Sequence, residues 1–388
     1  MGNRIRVKYE DIVNDANLLR AAKNTMRNGV RFKKEGAQWK IEQEKHINKL
    51  KKMLLSKTYK HGKYFTFTVF DPKKRTILAA NLTDRVLHHA VYDVLAPLID
   101  TKFIFHSYAC RLNKGQHKAI DQAQKWCRNS KYYIHLDVKK FFASIHREKL
   151  IAIIKNTITD QRIILLIEEI IHSSIKHNYY NAHQQINLFD EPVPINDFPT
   201  ANKGIPIGNL TSQLFANWYL NELDQYAKHE LKLQKYIRYM DDFVVFSNEK
   251  KELIVAEQAI KTFCENELKL AIHPSGGPTP TNKGLSFLGF RIFASHRRVK
   301  TASLLRFKNK FQAINTQYDE ANEKDVFLYY QRIQAWNAHA SKANSFQLRK
   351  QIFESHPMSA LLWNYNMDYK IYRKQNLAYG NCTVASNN

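Results

Sequence analysis

Residues 236–247, Tyr-Ile-Arg-Tyr-Met-Asp-Asp-Phe-Val-Val-Phe-Ser, set two adjacent carboxylates, Asp241 and Asp242, between two apolar runs. Runs this short, rich in aromatic and β-branched residues, read as strands, and the charged pair falls at the bend between them. Adjacent carboxylates that lose hydration are costly to keep unless a cation offsets their charge. The pattern therefore predicts a hairpin that carries a hard-metal site at its bend. Taken alone, the pair is equally consistent with a surface Asp-Asp turn.

A second segment narrows the choice. In His135-Leu-Asp-Val-Lys-Lys-Phe-Phe142 a strand pattern from Tyr132 ends at Asp137, which can enter the same site. Nucleotidyl transfer uses such a set. Two Mg²⁺ ions about 4 Å apart activate the attacking hydroxyl and stabilise the leaving pyrophosphate. Because Mg²⁺ fills much of its shell with water and substrate phosphate, two or three Asp residues suffice.

Charge points to the substrate class. The chain has 388 residues and a formal net charge of +25. Residues 1–75 hold 20 Lys and Arg against 7 Asp and Glu, so +13 of that excess lies in the first fifth. An excess of this size calls for an anionic partner, with nucleic acid first and a membrane surface second. The basic residues are interleaved with aromatics able to stack on bases. At 44% hydrophobic and 12% aromatic residues, the chain can bury a core, which excludes a disordered protein. The longest apolar runs, such as Ile163–Ile167, are too short to span a bilayer, so no membrane partner is expected. The start has no apolar leader, and the four cysteines are widely separated without a CxxC, which together predict a reduced, cytoplasmic protein.

Periodicity supplies the elements. Residues 1–60 read as basic helices, 65–69 and 75–80 as a hairpin with Lys73, Lys74 and Arg75 at or near its tip, and 84–95 as a helix with Thr83 as N-cap. Helices follow at 147–155 and 162–176, then an irregular insertion at 177–204 and a turn from Gly204 to Gly208. A long helix is expected over 211–231 and another over 253–267. Next come a Gly/Pro loop at 274–284 and one strand over 285–293. Everything beyond about 300 reads as helix, with Trp336 and Trp363 as core anchors. The fold class expected is α+β.

These residues and their order resemble reverse transcriptases. Residues 236–247 are similar to the YxDD motif, 135–142 to motif A, Gly204-Ile-Pro-Ile-Gly-Asn-Leu-Thr-Ser-Gln213 to motif B and Phe287-Leu-Gly-Phe290 to the primer grip. Asp84-Arg85 and Ser107-Tyr-Ala-Cys-Arg111 resemble the fingers motifs of bacterial members. The resemblance covers roughly residues 60–300. It is closest to the enzymes of diversity-generating retroelements, through the string IGNLTSQ followed by Ala216-Asn217 and through Trp336-Asn-Ala-His-Ala340. Group II intron enzymes usually carry Gln-Gly where this chain has Ile207-Gly208, and Ser-Pro where it has Ser212-Gln213.

The resemblance implies a right-hand polymerase with basic N-terminal helices and fingers at 1–130, a palm at 131–300 and a helical thumb at 301–388. It implies catalysis by Asp137, Asp241 and Asp242, with two Mg²⁺ ions held by those residues and Val138. Lys74, Arg75, Phe142, Ile207, Gly208 and Gln213 would form the dNTP pocket. Phe142 would be the steric gate against a ribose 2′-hydroxyl, and Arg75 would grip the triphosphate. Arg111, Lys114, Tyr239, Met240, Leu288 and Gly289 would contact primer or template. Ile207 cannot hydrogen-bond where a Gln would, and a pocket that discriminates by packing alone discriminates weakly. The activity implied is error-prone copying of a template RNA, with misincorporation opposite adenines, into cDNA that rewrites a variable gene. The partners implied are the template RNA, the cDNA or primer, dNTPs and a basic, helical accessory variability protein.

One departure stands out. A Gly occupies the position after the YxDD strands where relatives often place a Lys that protonates pyrophosphate. His273 either substitutes for it or is an ordinary packed or solvated histidine, the simpler reading. His88-His89 lack metal-ligand spacing and read as structural or RNA-contacting. No zinc or nuclease cluster is evident, so template removal is expected to fall to another protein. An intron, retron or phage-defence enzyme and a catalytically inactive RNA-binding scaffold are the alternatives.

Overall fold

The N-terminal segment forms four helices: α1 (Tyr9–Val13), α2 (Asp15–Thr25), α3 (Lys34–Ile41) and the basic α4 (Gln43–Leu55). A change to alternating Phe and Thr then makes β1 (Phe65–Val69), and β2 (Arg75–Ala79) returns beside it. The order continues with α5 (Leu82–Asp100), α6 (Gln116–Arg128), β3 (Tyr132–Asp137), α7 (Phe141–Ser144), α8 (Arg147–Thr157), α9 (Gln161–His172) and β4 (Tyr180–Asn181). Next come α10 (Leu210–Gln225), β5 (Tyr236–Tyr239), β6 (Asp242–Ser247), α11 (Lys250–Asn266), β7 (Thr279–Pro280), β8 (Leu285–Phe287), β9 (Phe290–Ile292) and β10 (Arg297–Val299). The last elements are α12 (Thr301–Thr316), α13 (Glu323–Ala340), α14 (Phe346–Glu354), β11 (Trp363–Tyr365) and β12 (Ile371–Arg373).

The computed structural model describes residues 4–70, 75–174, 180–181, 200, 202–316, 323–354, 363–365 and 371–373. Lys73 and Lys74, and nearly all of the 177–204 insertion, lie outside the described residues. So does the side chain of Trp363. Among the described residues, no helix is long and apolar enough to cross a membrane. The architecture is α+β, with antiparallel pairing in the palm-like sheet.

Compactness divides the chain into two units. The first holds residues 1–115, 134–245 and 250–277, and the second holds 116–133, 246–249 and 278–388. In the first, β1 and β2 pair antiparallel from Phe65↔Ala79 to Val69↔Arg75. Strands β5, β6 and β3 lie side by side in that order. The β5–β6 register, ending at Tyr239↔Asp242, leaves Met240 and Asp241 as a two-residue turn.

The interior of this unit contains a charged pair. Arg238 and Asp224 are both fully buried, with Arg238 Nε 2.8 Å from Asp224 Oδ1 and Nη2 2.6 Å from Oδ2. The Tyr236 hydroxyl donates to the same Asp224 oxygen at 2.8 Å. The remaining Arg238 Nη1 donates to Asn217 Oδ1 at 3.0 Å and to the Met240 carbonyl at 3.1 Å. A buried pair is tolerated only when its geometry is good and its leftover donors are satisfied. Here the leftover donors go to α10 and to the turn itself.

A second buried network links the N-terminal segment to α10. His61 and His88 face each other through their Nε2 atoms at 3.1 Å, and His88 Nδ1 lies 2.5 Å from Thr211 Oγ1. Tyr64 joins them through its hydroxyl, 3.2 Å from His61 Nε2, and that hydroxyl accepts from Asn209 Nδ2 at 2.9 Å. Burial, followed by the neighbouring His61, pushes His88 well below the ordinary histidine range, so it stays neutral. His88 is therefore structural.

The second unit pairs the first two residues of β3 with β7, and it forms a β8–β9–β10 meander. Its helical core stacks Phe307 on Trp336, with ring centroids 3.8 Å apart, and sets Phe353 edge-on to Trp336.

Three local expectations change. Helix α5 is capped by Asn81, whose side chain accepts from the Asp84 amide, while Thr83 instead accepts from Trp39 Nε1 at 3.2 Å. The single strand expected over 285–293 is a hairpin, because Leu288 and Gly289 take φ of 46° and 85°, which suits the primed turns that match strand twist. The region past 300 is not all helix. It includes the antiparallel β11–β12 pair, aromatic segments too short for helical periodicity to apply.

The Arg238→Met variant should lose about 3–5 kcal/mol of stability in urea denaturation by leaving Asp224 charged and alone, and Arg238→Met with Asp224→Leu should regain most of it.

Candidate active site

The hairpin turn is the starting point. Met240 adopts φ 57°, the left-handed region a non-glycine residue enters only at a cost of about 1–3 kcal/mol. Two contacts hold it there. Arg238 binds the Met240 carbonyl, and the Val138 amide donates to the Asp241 carbonyl at 3.2 Å. The second contact joins the turn to the end of β3, where Asp137 sits. Asp137, Asp241 and Asp242 are thus brought to one place, each partly exposed.

Their proximity has an electrostatic signature. Asp241 is pushed up to about 6 by burial first, then by the charge of Asp137 and, less, of Asp242, while Arg75 pulls it down. So Arg75, exposed on β2 opposite Val69, projects its charge onto the carboxylate site. Among the described residues, no group of three or more His, Cys, Asp or Glu is already gathered as a metal cage. The donor chemistry fits a hard divalent cation all the same. Mutually repelling carboxylates with open positions suit Mg²⁺, which takes only one or two protein carboxylates and leaves room for phosphate.

Several residues expected to line a nucleotide pocket lie around residues 204–208. This segment is laced on both sides. Its Ile205 amide donates to the Phe142 carbonyl at 2.9 Å, and its Ile207 carbonyl accepts from Leu78 of β2 at 2.8 Å. Phe142 is half-buried, its ring edge-on to the buried Phe141. Gly208 has φ 127°, and a Cβ there would lie 2.8 Å from the Leu78 carbonyl oxygen, so only glycine fits. Gln213 is exposed on α10 and accepts from Cys110 Sγ at 3.4 Å. Lys74 lies outside the described residues.

The residues expected at primer and template divide. Tyr239 and Met240 flank the carboxylate turn and are partly exposed. Arg111 does not reach outward. Its guanidinium binds Asp100 at 2.5 Å and the carbonyls of Ile104 and Ser107 at 2.6 and 2.8 Å, which folds it into the protein. Arg111 shapes residues 104–111, and this loop then runs beside β5, with the Tyr108 amide donating to the Arg238 carbonyl at 3.0 Å. Lys114 likewise bonds the Phe105 carbonyl at 2.8 Å and sits 3.3 Å above that ring, so its ammonium is held by its own loop. Leu288 and Gly289 form the β8–β9 turn in the second unit, where the Leu288 carbonyl accepts from Gln116 at 2.7 Å and Gly289 abuts His339.

His273 is about half exposed. Its amide donates to the Asp137 carbonyl at 2.8 Å, and its Nε2 is 4.0 Å from an Asp137 carboxylate oxygen. It is a solvated neighbour of the site. Sequence reasoning passed over Arg238, Asp224 and His135. The available signal was an arginine inside an otherwise apolar strand, which needs a buried partner.

The signs of two changes follow. A carboxyl raised by burial destabilises the fold as pH climbs from about 4, where the unfolded chain ionises, through about 6, and by a constant amount above. In chelator, Asp241→Asn should therefore be more stable than the parent at pH 7.5, by up to about 3 kcal/mol. Thermal melts should show that advantage vanish near pH 4. Gly208→Ala should cost about 1–3 kcal/mol in the same melts, by strain and by the clash with β2.

Residues 60–292 match the family described as Reverse transcriptase (RNA-dependent DNA polymerase). The chain is 24% identical over 265 residues to Protein YkfC of Escherichia coli strain K12, covering 58% of this chain and 65% of that one. It is 21% identical over 283 residues to the Group II intron-encoded protein LtrA of Lactococcus lactis subsp. cremoris, covering 57% and 44%. The chain thus spans under two thirds of either relative. A solved structure, the Partial Cas6-RT-Cas1--Cas2 complex, aligns with TM-score 0.37 and 19% identity over 66% of this chain and 42% of that one.

Proposed function

The chain belongs to the reverse transcriptase family, and from that premise we propose that it polymerises DNA on an RNA template within a diversity-generating retroelement, with errors concentrated opposite adenines. One observation carries the polymerase reading. Asp241, at a turn tied to the end of β3, is raised first by burial and then by its neighbour Asp137, and it lies within electrostatic reach of Arg75. That is a carboxylate pair facing a phosphate-binding cation, the arrangement nucleotidyl transfer needs.

The residues that would hold Mg²⁺ are Asp137, Asp241 and Asp242 with Val138. Bound there, two such ions would supply activation of a primer 3′-hydroxyl and stabilisation of pyrophosphate. The chain's own groups do the rest. Arg75 draws the triphosphate toward the carboxylates. Phe142, fastened to Ile205 through its carbonyl, stands as the wall against a 2′-hydroxyl. The Ile207 side chain offers the nucleotide an apolar surface with no hydrogen bond. Relaxed base selection is the expected consequence, since losing or gaining small apolar contacts is worth only about 1–3 kcal/mol.

The mutagenic assignment is supported by Ile207-Gly208-Asn209-Leu210-Thr211-Ser212-Gln213. It carries with it a structured template RNA, dNTPs, a basic helical accessory variability protein and a cytoplasmic setting. The similarity to an intron-encoded protein of Lactococcus lactis favours a second reading, an intron-type enzyme.

The test is primer extension on RNA with Mg²⁺ and dNTPs, followed by sequencing of the cDNA. Asp241→Ala should lower extension by at least about 10²–10³-fold. Errors should cluster opposite template adenines, and Ile207→Gln should reduce them by roughly tenfold. Sparse errors spread evenly over all four bases would favour the intron-type reading. A parent chain that does not extend the primer would remove the polymerase assignment, and extension surviving in Asp241→Ala would remove Asp241 from its site.

A further inference from the structure

A cavity of about 380 Å³ opens between α1, the end of α4 and α9, and it shares no residue with the carboxylate turn or with residues 204–208. Its floor is apolar, formed by the buried Tyr9, Leu54, Tyr59 and Leu166. Both tyrosine hydroxyls are already engaged, Tyr9 with the Leu54 carbonyl at 3.0 Å and Tyr59 with Asp84 at 2.8 Å. What they offer the cavity is therefore ring surface. One wall holds a carboxylate, Glu169, whose side chain is only 12% exposed. Its Oε1 accepts from the His61 amide at 3.3 Å and its Oε2 from Lys60 Nζ at 3.4 Å. The Gly62 amide donates to Asp84 at 2.8 Å, so residues 59–62 are pinned to both α5 and α9 and the wall is preformed. The mouth is basic, with Lys57, Lys60 and Arg162. Arg162 is committed to Glu10 and Asp160, at 3.0 and 2.9 Å, which leaves the two lysines for a ligand. Residues 45–63 contain seven Lys and no Asp or Glu, a field that repels a basic partner and attracts an anion.

We propose that this cavity takes one unpaired guanine nucleotide of an RNA strand bound away from the carboxylate site. Unstacked RNA bases are recognised by aromatic faces beside them and by hydrogen bonds to their Watson–Crick edge. The cavity supplies both. Guanine alone among the four bases carries two adjacent donors on that edge, N1–H and the N2 amino group, and a carboxylate can accept two parallel N–H bonds. Adenine and cytosine present an acceptor nitrogen beside their amino group, which Glu169 would repel. Uracil has a single N–H between two carbonyls. The volume suits a base with its ribose, since small-ligand pockets span about 300–1,000 Å³. The flanking phosphates then fall to Lys57 and Lys60. A strand is favoured over a free nucleotide because the charge continues past the cavity. Lys45, Lys49 and Lys52 are exposed at helical spacing along one face of α4, which leads to Leu54 on the floor. Such a stripe tracks a backbone longer than one residue. The inference concerns RNA binding and is independent of the metal-dependent reading of Asp137, Asp241 and Asp242.

The experiment measures binding of labelled RNA heptamers to the full chain by fluorescence anisotropy, without Mg²⁺ or dNTPs. The heptamer UUUGUUU should bind about tenfold more tightly than UUUUUUU or UUUAUUU, the scale of one bidentate base contact. Replacing its guanine by inosine, which lacks the N2 amino group, should remove most of that gain. Glu169→Gln removes the paired acceptor, and Leu165→Trp fills the mouth from a half-exposed rim position. Each should lower the UUUGUUU affinity to that of UUUUUUU, and leave the latter within about twofold of the parent. Asp241→Ala should keep the preference. Equal binding of the three heptamers by the parent overturns the inference, and that comparison needs no variant. So does a preference that survives Leu165→Trp, which is decisive even if Glu169→Gln does not fold, or a preference lost in Asp241→Ala. Free GMP should compete at least about tenfold more weakly than UUUGUUU, because it reaches none of the lysine stripe. Competition by GMP at equal concentration overturns the assignment to a strand.

Discussion

The buried ion pair between Arg238 and Asp224 is the constraint on which the catalytic region depends. Both side chains are wholly out of water, so each needs the other. Arg238 also donates to Asn217 on α10 and to the carbonyl of Met240. One guanidinium thus joins a long helix, a strand and the turn that presents Asp241. Its main chain bonds residues 106 and 108, so the loop ordered by Arg111 is fastened along the same strand. The left-handed Met240 is costly by itself and persists because the interactions around it leave no alternative.

A second principle is that the pocket is built from backbone as much as from side chains. Residues 204–208 hydrogen-bond to Phe142 on one side and to Leu78 on the other. The glycine at 208 is there because β2 approaches too closely for any Cβ. Arg75 is carried on that same β2. Residues 204–208 and β2 are therefore coupled by a short main-chain bond from Leu78 to Ile207. His61, His88, Tyr64, Asn209 and Thr211 form a buried network that seats the start of α10.

Much of this was legible in the residue order. Asp137 at a strand end, the Asp241-Asp242 turn, the Phe65–Val69 hairpin and the Gly204–Gly208 turn all follow from period and punctuation. Local chemistry misled at Thr83, where an asparagine two residues earlier is the better cap, and over 285–293, where Leu288 gives no turn signal. Arg111 and Lys114 read as surface charges fit for nucleic acid. Their donors are instead spent on carbonyls and a carboxylate that no local pattern brings near.

By itself, the sequence determined that Asp137 ends a strand and that Asp241 and Asp242 fall at the bend of a hairpin, because short apolar runs broken by charged residues read as strands and turns. It also determined the polymerase-like order of motifs and an excess of positive charge suited to nucleic acid. Only the tertiary structure decided which charges are spent internally and which face the site. It alone paired Arg238 with Asp224, turned Arg111 inward, set Arg75 within reach of Asp241 and joined His135 to Asp242. These are contacts between residues far apart in the chain, or on neighbouring strands whose register no single segment encodes. A polar side chain's partner is chosen by desolvation and geometry at the place where the fold brings it, and not by its neighbours in sequence.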